Sequence, residues 1–172
     1  MNKKYQKIVV VGVSASGKSI LSRKISKETG LPLFHMDKIM WNRGWNYIGD
    51  KETINALEDI SNKKQWIIDG YITKNARSFV FEKADVIIYL DYHPLLLSWR
   101  YIKRCIKHFK NPRPELPGSP DKFSWKFLKL VWTKGEAISL DKNLNKVISK
   151  DKIIILKNPR EANKFINSLK RI

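Results

Sequence analysis

Gly12, Gly17, Lys18 and Ser19 satisfy every fixed position of the pattern G-x-x-x-x-G-K-S/T, with Val13, Ser14, Ala15 and Ser16 filling the free ones. That spacing carries a mechanism. The glycines let successive backbone N–H groups turn toward a polyphosphate, and a helix starting at the loop adds the partial positive charge of its N-terminus. The lysine reaches the β- and γ-phosphates, and the hydroxyl that follows completes a Mg²⁺ shell. The context agrees. Lys7–Ile8–Val9–Val10–Val11 before the loop predicts a buried strand, and Ile20 to Thr29 after it predicts a helix closed by Gly30. The expectation is a nucleoside triphosphate site along Gly12 to Ile20, with Lys18 as the catalytic cation and Ser19 on the metal.

Three further groups could complete such a site. Asp37 follows a short apolar stretch and precedes Trp41 and Trp45. A carboxylate there suits the proton of an attacking hydroxyl, and flat indoles suit stacking on a base or another planar group. The same residues also fit a helix cap beside two core tryptophans. Trp66–Ile67–Ile68–Asp69–Gly70 predicts a strand ending in a carboxylate placed to hold Mg²⁺, with Asp91 at the end of Tyr89–Leu90–Asp91 as its rival. Arg77, Arg100, Arg104 and Arg113 supply planar guanidinium groups, which meet the non-bridging oxygens of a transferring phosphoryl group at two points. Arg100 and Arg104 lie one helical turn apart and are expected to face the same way, at the nucleotide and in catalysis. His35 is expected to pack at its strand end without a role.

The elements that must position these groups follow from periodicity. Apolar β-branched runs recur at 7–13, 66–69, 85–90 and 153–156, with a shorter candidate at 32–36, and helix-length stretches lie between them. Such alternation predicts a parallel sheet covered on both faces. Asp50 is expected to cap a helix through about Lys63, burying Ile54, Leu57 and Ile60. Pro94 suits the first turn of a helix to about Lys110. On it Trp99, Ile102, Ile106 and Phe109 form an apolar face, and Arg100, Lys103, Arg104 and Lys107 a basic one. Residues 111–120 hold four of the seven prolines and predict a surface loop. Residues 123–149 read as helical with a break near Gly135, and Pro159 opens a terminal helix with Phe165, Ile166 and Leu169.

Composition bounds the rest. A chain of 172 residues with 42% hydrophobic content predicts one domain spanning 1–172. No apolar run approaches the ~20 residues of a membrane span. The opening Met1–Asn2–Lys3–Lys4 mimics a leader, but its apolar run is short and enters the glycine loop, so a cytoplasmic protein is expected. A single cysteine, Cys105, excludes an internal disulfide framework and a cysteine-built zinc site. Net charge is +18, and residues 98–134 contribute +8 of it. Such a field attracts nucleotides or a nucleic-acid backbone.

Together these segments resemble the adenylate-kinase-like branch of the phosphate-loop kinases and, more closely, the DNA topology modulation protein (FlaR-related) group. The resemblance rests on the loop at 12–19, on Met36–Asp37–Lys38–Ile39–Met40–Trp41 with Gly44–Trp45, and on Trp66–Ile67–Ile68–Asp69–Gly70–Tyr71 with Arg77. It extends through Ala84–Asp91 to Arg100 and Arg104, and to Arg113–Pro114–Glu115–Leu116 with Asp121–Lys122–Phe123. It implies an α/β three-layer P-loop NTPase sandwich: a five-stranded parallel sheet flanked by helices, nucleoside-monophosphate-kinase-like, with an acceptor-binding segment at about 37–63 and a short lid at about 110–122. ATP and Mg²⁺ are the implied ligands. The implied acceptor set is Asp37, Trp41, Trp45, Asp69, Gly70, Arg77 and Arg113, with Ser19 and Asp69 on the metal.

Two main functions remain open at this point, with a nucleotide-binding protein without turnover as a third. One is a small kinase that moves the ATP γ-phosphate to a hydroxyl or phosphate on a nucleoside-like, nucleotide-like or other small acceptor. The other is a nucleic-acid-associated ATPase or regulator that uses the basic 98–134 surface. Weak, sequence-independent nucleic-acid binding is compatible with both, because both want arginine and lysine.

Overall fold

The computed structural model describes residues 5–109, 118–135 and 150–169. Five strands form one parallel sheet: β1 (Lys7–Gly12), β2 (Leu33–His35), β5 (Trp66–Asp69), β6 (Val86–Leu90) and β7 (Ile153–Leu156), in the order β2-β5-β1-β6-β7. A separate two-stranded hairpin joins β3 (Trp41–Asn42) to β4 (Asn46–Tyr47). Each of the five apolar runs becomes a strand. The inner strands are buried on both faces, which is why they lack polar alternation: Ile8, Val9, Trp66, Ile67, Ile87 and Ile88 have no exposed surface.

The crossovers set the layers. The chain leaves β1 through α1 (Lys18–Thr29) toward the β2 edge, then turns back: α3 (Asp50–Ser61) leads to β5, and α4 (Lys74–Lys83) leads across β1 to β6. Right-handed connections running in opposite directions put their helices on opposite faces of the sheet. The packing agrees, since α1 meets the terminal helix α7 (Pro159–Leu169), while α3 meets α4, and α5 (Pro94–His108) meets α6 (Trp125–Trp132). Because β1 is where the direction reverses, its carboxyl end opens a crevice, the usual ligand position in such sheets.

Local details depart from expectation in several places. The N-cap of α3 is Gly49, not Asp50, whose carboxylate instead accepts a 2.6 Å hydrogen bond from the Tyr47 hydroxyl. Leu57 and Ile60 are buried as expected, and Ile54 only partly. The apolar face of α5 exists, but it does not face the core: Trp99, Ile106 and Phe109 are more than half exposed. The helix has a third face, Leu97, Tyr101 and Cys105, and that one packs inward. A two-face division of α5 missed it because Tyr101 and Cys105 carry polar atoms. Helix α6 begins after Ser124, whose Oγ accepts from Phe127 N, and ends at Trp132. The Thr133 hydroxyl donates back to the Lys129 carbonyl and Lys134 takes a left-handed φ of 51°, so the helix stops before Gly135. Most of the expected lid, the Arg113 motif and the later part of the 123–149 stretch lie outside the described residues. None of the described helices is long and apolar enough to cross a membrane.

The two faces of α5 predict opposite mutational costs. Leu97→Ala should lower stability by about 2–5 kcal/mol through a core cavity. Ile106→Ala, on the outward stripe, should stay within about 0.5 kcal/mol of the parent. Urea unfolding followed by circular dichroism measures both; equal costs would mean that the stripe is packed.

Candidate active site

The glycine loop connects β1 to α1 at the sheet's switch point, and its geometry depends on two glycines. Gly12 has φ 148°, and a Cβ there would lie 2.7 Å from the Leu90 carbonyl oxygen, so the loop passes β6 more closely than any side chain allows. Gly17 occupies the N-cap of α1 at φ 93° and offers no side chain to cap it. The first turn of α1 also carries no acidic residue. Its N–H groups therefore face an anion site with no built-in anion of their own. The Lys18 ammonium donates to the carbonyls of Gly12 (2.8 Å) and Val13 (3.1 Å), which folds it over the loop mouth.

This mouth opens into a cavity of about 1240 Å³. Gly12, Ser14, Ala15, Gly17, Lys18, Ser19 and Ile20 line its floor. Val13 and Ser16 belong to the loop but are buried beneath it. Arg100 reaches the loop from α5: its Nη1 donates to the Ser16 carbonyl at 2.8 Å, and its guanidinium carbon lies 5.3 Å from the Tyr92 ring centre. Burial holds the Tyr92 phenol above its ordinary pKa even against the pull of Arg100, so the ring that meets the cation stays neutral at physiological pH.

Arg104 also lines the cavity, but it is engaged differently. Its Nε lies 3.4 Å from the buried Asp121 carboxylate, and its guanidinium lies 5.5 Å from the Tyr101 ring centre and 6.0 Å from that of Phe127. The two arginines face one cavity, as helical spacing predicted, yet only Arg100 touches the glycine loop. Lys103 and Lys107 line the same wall, which places the basic face of α5 on the cavity.

Asp69 ends β5 beside the loop, only 2% exposed. Its Oδ2 is 2.7 Å from His35 Nδ1 at the end of β2, and its Oδ1 is buried with no hydrogen-bond partner among the described residues. A buried carboxylate oxygen without a donor is costly unless a ligand satisfies it. Together with the Ser19 hydroxyl in the same cavity, this donor set of hard oxygens fits a hydrated Mg²⁺ ion. The rival Asp91 is ion-paired with Lys134. His35, expected merely to pack, is thus a partner of the central carboxylate. A signal existed, because parallel pairing of two strands that both end at the switch point brings their last residues side by side.

The far wall comes from residues 37–77. Asp37 lies in the first turn of a short helix, α2 (Met36–Met40), rather than on the strand end, and it lines the cavity with Trp41 and Trp45. The two tryptophans differ: Trp45 is 39% exposed, whereas Trp41 is partly buried and packs against the core. Their rings meet edge-on at 5.8 Å, and Trp41 lies 5.4 Å from Tyr47. Ser119 Oγ accepts from the N–H groups of Gly44 and Trp45, and the Trp45 indole donates to the Pro120 carbonyl, so the hairpin is tied to the segment preceding α6. Gly70 and the buried Arg77 also line the cavity; Arg77 Nε donates to the Ile72 carbonyl at 2.9 Å and its guanidinium faces the Tyr71 ring. Tyr47 of β4, Tyr71 and Asp50 at the start of α3 also line this wall and were not foreseen.

No protein-family profile matches the chain, and no curated protein sequence matches it. Solved structures do. A shikimate kinase from Bacteroides thetaiotaomicron superposes with a TM-score of 0.61 at 14% identity, covering 97% of each chain. A gluconokinase from Sinorhizobium meliloti 1021 superposes with a TM-score of 0.55 at 17% identity, covering 96% of this chain and 94% of its own. At these identities the likeness is one of architecture, and the architecture is that of the small P-loop kinases: a five-stranded parallel sheet flanked by helices.

Proposed function

We propose that this chain is a small Mg²⁺- and ATP-dependent kinase that phosphorylates a hydroxyl or phosphate on a flat, nucleoside-like acceptor. The observation that carries this reading is the convergence in one cavity of the glycine loop, the buried free oxygen of Asp69, and a separate aromatic wall beside Asp37. One end is built for a polyanion. The other offers planar apolar surface with a carboxylate, which suits a neutral ring carrying a hydroxyl.

In this reading the loop N–H groups and Lys18 bind the β- and γ-phosphates, and Arg100 holds the loop and the nucleotide together. Ser19 and Asp69 would hold Mg²⁺, which neutralises charge on the phosphate oxygens. Asp37 accepts the proton of the acceptor hydroxyl as that oxygen bonds to the terminal phosphorus and the bridging oxygen leaves with ADP. Trp41 and Trp45 orient the acceptor by stacking. Arg77 lies beneath Tyr71 on the acceptor side, where it binds any acidic group of that molecule. Arg104, braced by Asp121, supports the phosphoryl end by charge. The motif likeness to the DNA topology modulation protein group belongs to the same reading. The basic face of α5 turned toward the cavity supports a small anionic ligand over a nucleic-acid strand.

Lys18→Ala should leave the fold intact and weaken Mg²⁺-ATP binding by about 1.5–3 kcal/mol, the worth of a charge-assisted contact. Isothermal titration calorimetry reads this directly, and unchanged affinity would remove the loop from the site. Asp69→Asn should keep nucleotide binding measurable while abolishing Mg²⁺-dependent turnover, whereas Asp91→Asn should retain turnover; a coupled ADP-release assay that finds the reverse moves the metal to the other strand end. For the acceptor, thermal shift with Mg²⁺-ATP present, run across nucleosides, nucleoside monophosphates and short oligonucleotides, should single out one of the two small classes. That ligand should also quench tryptophan fluorescence in the parent and less so in Trp45→Ala. Oligonucleotides should bind weakly and lose affinity steeply with salt; tight binding that survives physiological salt favours the regulator instead.

A further inference from the structure

The cavity contains a histidine that the kinase reading does not use. His35 ends β2 and lies directly opposite Asp69 in the parallel pairing of β2 with β5. The two side chains are only 12% and 2% exposed, and His35 Nδ1 stands 2.7 Å from Asp69 Oδ2. An ionised carboxylate only accepts hydrogen bonds, so with Asp69 ionised this bond requires a proton on Nδ1. The other carboxylate oxygen, Oδ1, has no hydrogen-bond partner among the described residues.

We propose that His35 is the positioning residue of this site: it clamps one oxygen of Asp69 so that the other is presented to the metal shell. This rests on the reading of Asp69 as a partner of Mg²⁺. The terminal torsion of an aspartate is broad and roughly two-fold, so an unclamped carboxylate spreads over orientations that present either oxygen. One strong hydrogen bond removes that freedom. It leaves the burial of Oδ1 uncompensated until a cation or its bound water arrives, and the site is thereby poised for metal. Partners of this kind typically change metal affinity or activity by about 10–100-fold without touching the ion. Backbone register delivers the clamp: β2 and β5 are adjacent and end level, so the two side chains need no loop to find each other.

The test uses the full chain with Mn²⁺ as the metal probe and ADP as the nucleotide, and reads bound Mn²⁺ by electron paramagnetic resonance. His35→Ala should weaken Mn²⁺ affinity by about tenfold or more while metal-free ADP affinity stays within about twofold. His35→Asn, whose side-chain amide can place an N–H near the position of Nδ1, should recover most of the loss. His35→Gln, which places its amide near the position of Nε2, should not. Asp69→Asn run alongside separates the two levels of inference. If it weakens Mn²⁺ binding and His35→Ala does not, the clamp is wrong and the kinase reading stands. If neither does, Asp69 is not at the metal, and the clamp falls together with that assignment. A His35→Ala protein that loses metal-free ADP affinity in parallel with Mn²⁺ affinity, or a glutamine that rescues as well as asparagine, reduces His35 to a structural residue. Should the alanine variant fail to fold, ¹⁵N imidazole spectra of the parent decide: a proton on Nδ1 supports the clamp, and one on Nε2 alone overturns it.

Discussion

A helix N-terminus leaves backbone N–H groups without intrahelical partners, and the start of α1 has neither a capping side chain nor an acidic residue to satisfy them. Everything around the cavity is arranged on that deficit. The loop that delivers α1 must turn sharply at the end of the central strand, and the approach of Gly12 to Leu90 is too close for any residue with a Cβ. Lys18 and Arg100 hold the turned loop by its own carbonyls, at Gly12, Val13 and Ser16. The result is a concentration of donors and positive charge at one end of a large cavity.

The sheet supplies the opposing sign in a controlled amount. Because β1, β5 and β2 are parallel neighbours, their carboxyl ends open on the same edge, and Val10, Asp69 and His35 stand in register across it. Of the carboxylates that line the cavity, Asp69 alone stands at the end of a strand of the main sheet, beside the glycine loop. Asp91, one strand further along, is taken up by Lys134. Strand order, rather than the chemistry of the two aspartates, separates their surroundings.

The aromatic wall is held by other means. Its tryptophans sit on a hairpin outside the main sheet, tied by hydrogen bonds from Gly44, Trp45 and the Trp45 indole to Ser119 and Pro120. Those bonds join the wall to the segment between α5 and α6, which also carries Asp121, the partner of Arg104. The aromatic wall and the basic wall are therefore both tied to residues 119–121. The edge-on contact of Trp41 with Trp45 leaves partly exposed indole surface on the cavity side, which a close-packed core would not leave.

Much of this was legible in the chain alone, because it is local. Pattern and spacing of Gly12, Gly17, Lys18 and Ser19 announce the loop, β-branched apolar runs announce four of the five strands, and the shorter apolar stretch at 32–36 announces β2. Gly30 and Pro94 mark helix ends for reasons that act within a few residues. What tertiary structure alone decided is non-local. Burial of Leu97, Tyr101 and Cys105, rather than the more apolar stripe through Trp99 and Ile106, follows from which face of α5 meets the core and α6, and no periodicity encodes that when two faces are apolar enough. The pairing of His35 with Asp69 spans 34 residues of sequence and exists only because β5 lies between β1 and β2. The different partners of Asp69 and Asp91 rest likewise on strand order. Residue types and their spacing determined which chemistry was available; the crossover order of a parallel sheet decided which of those residues meet.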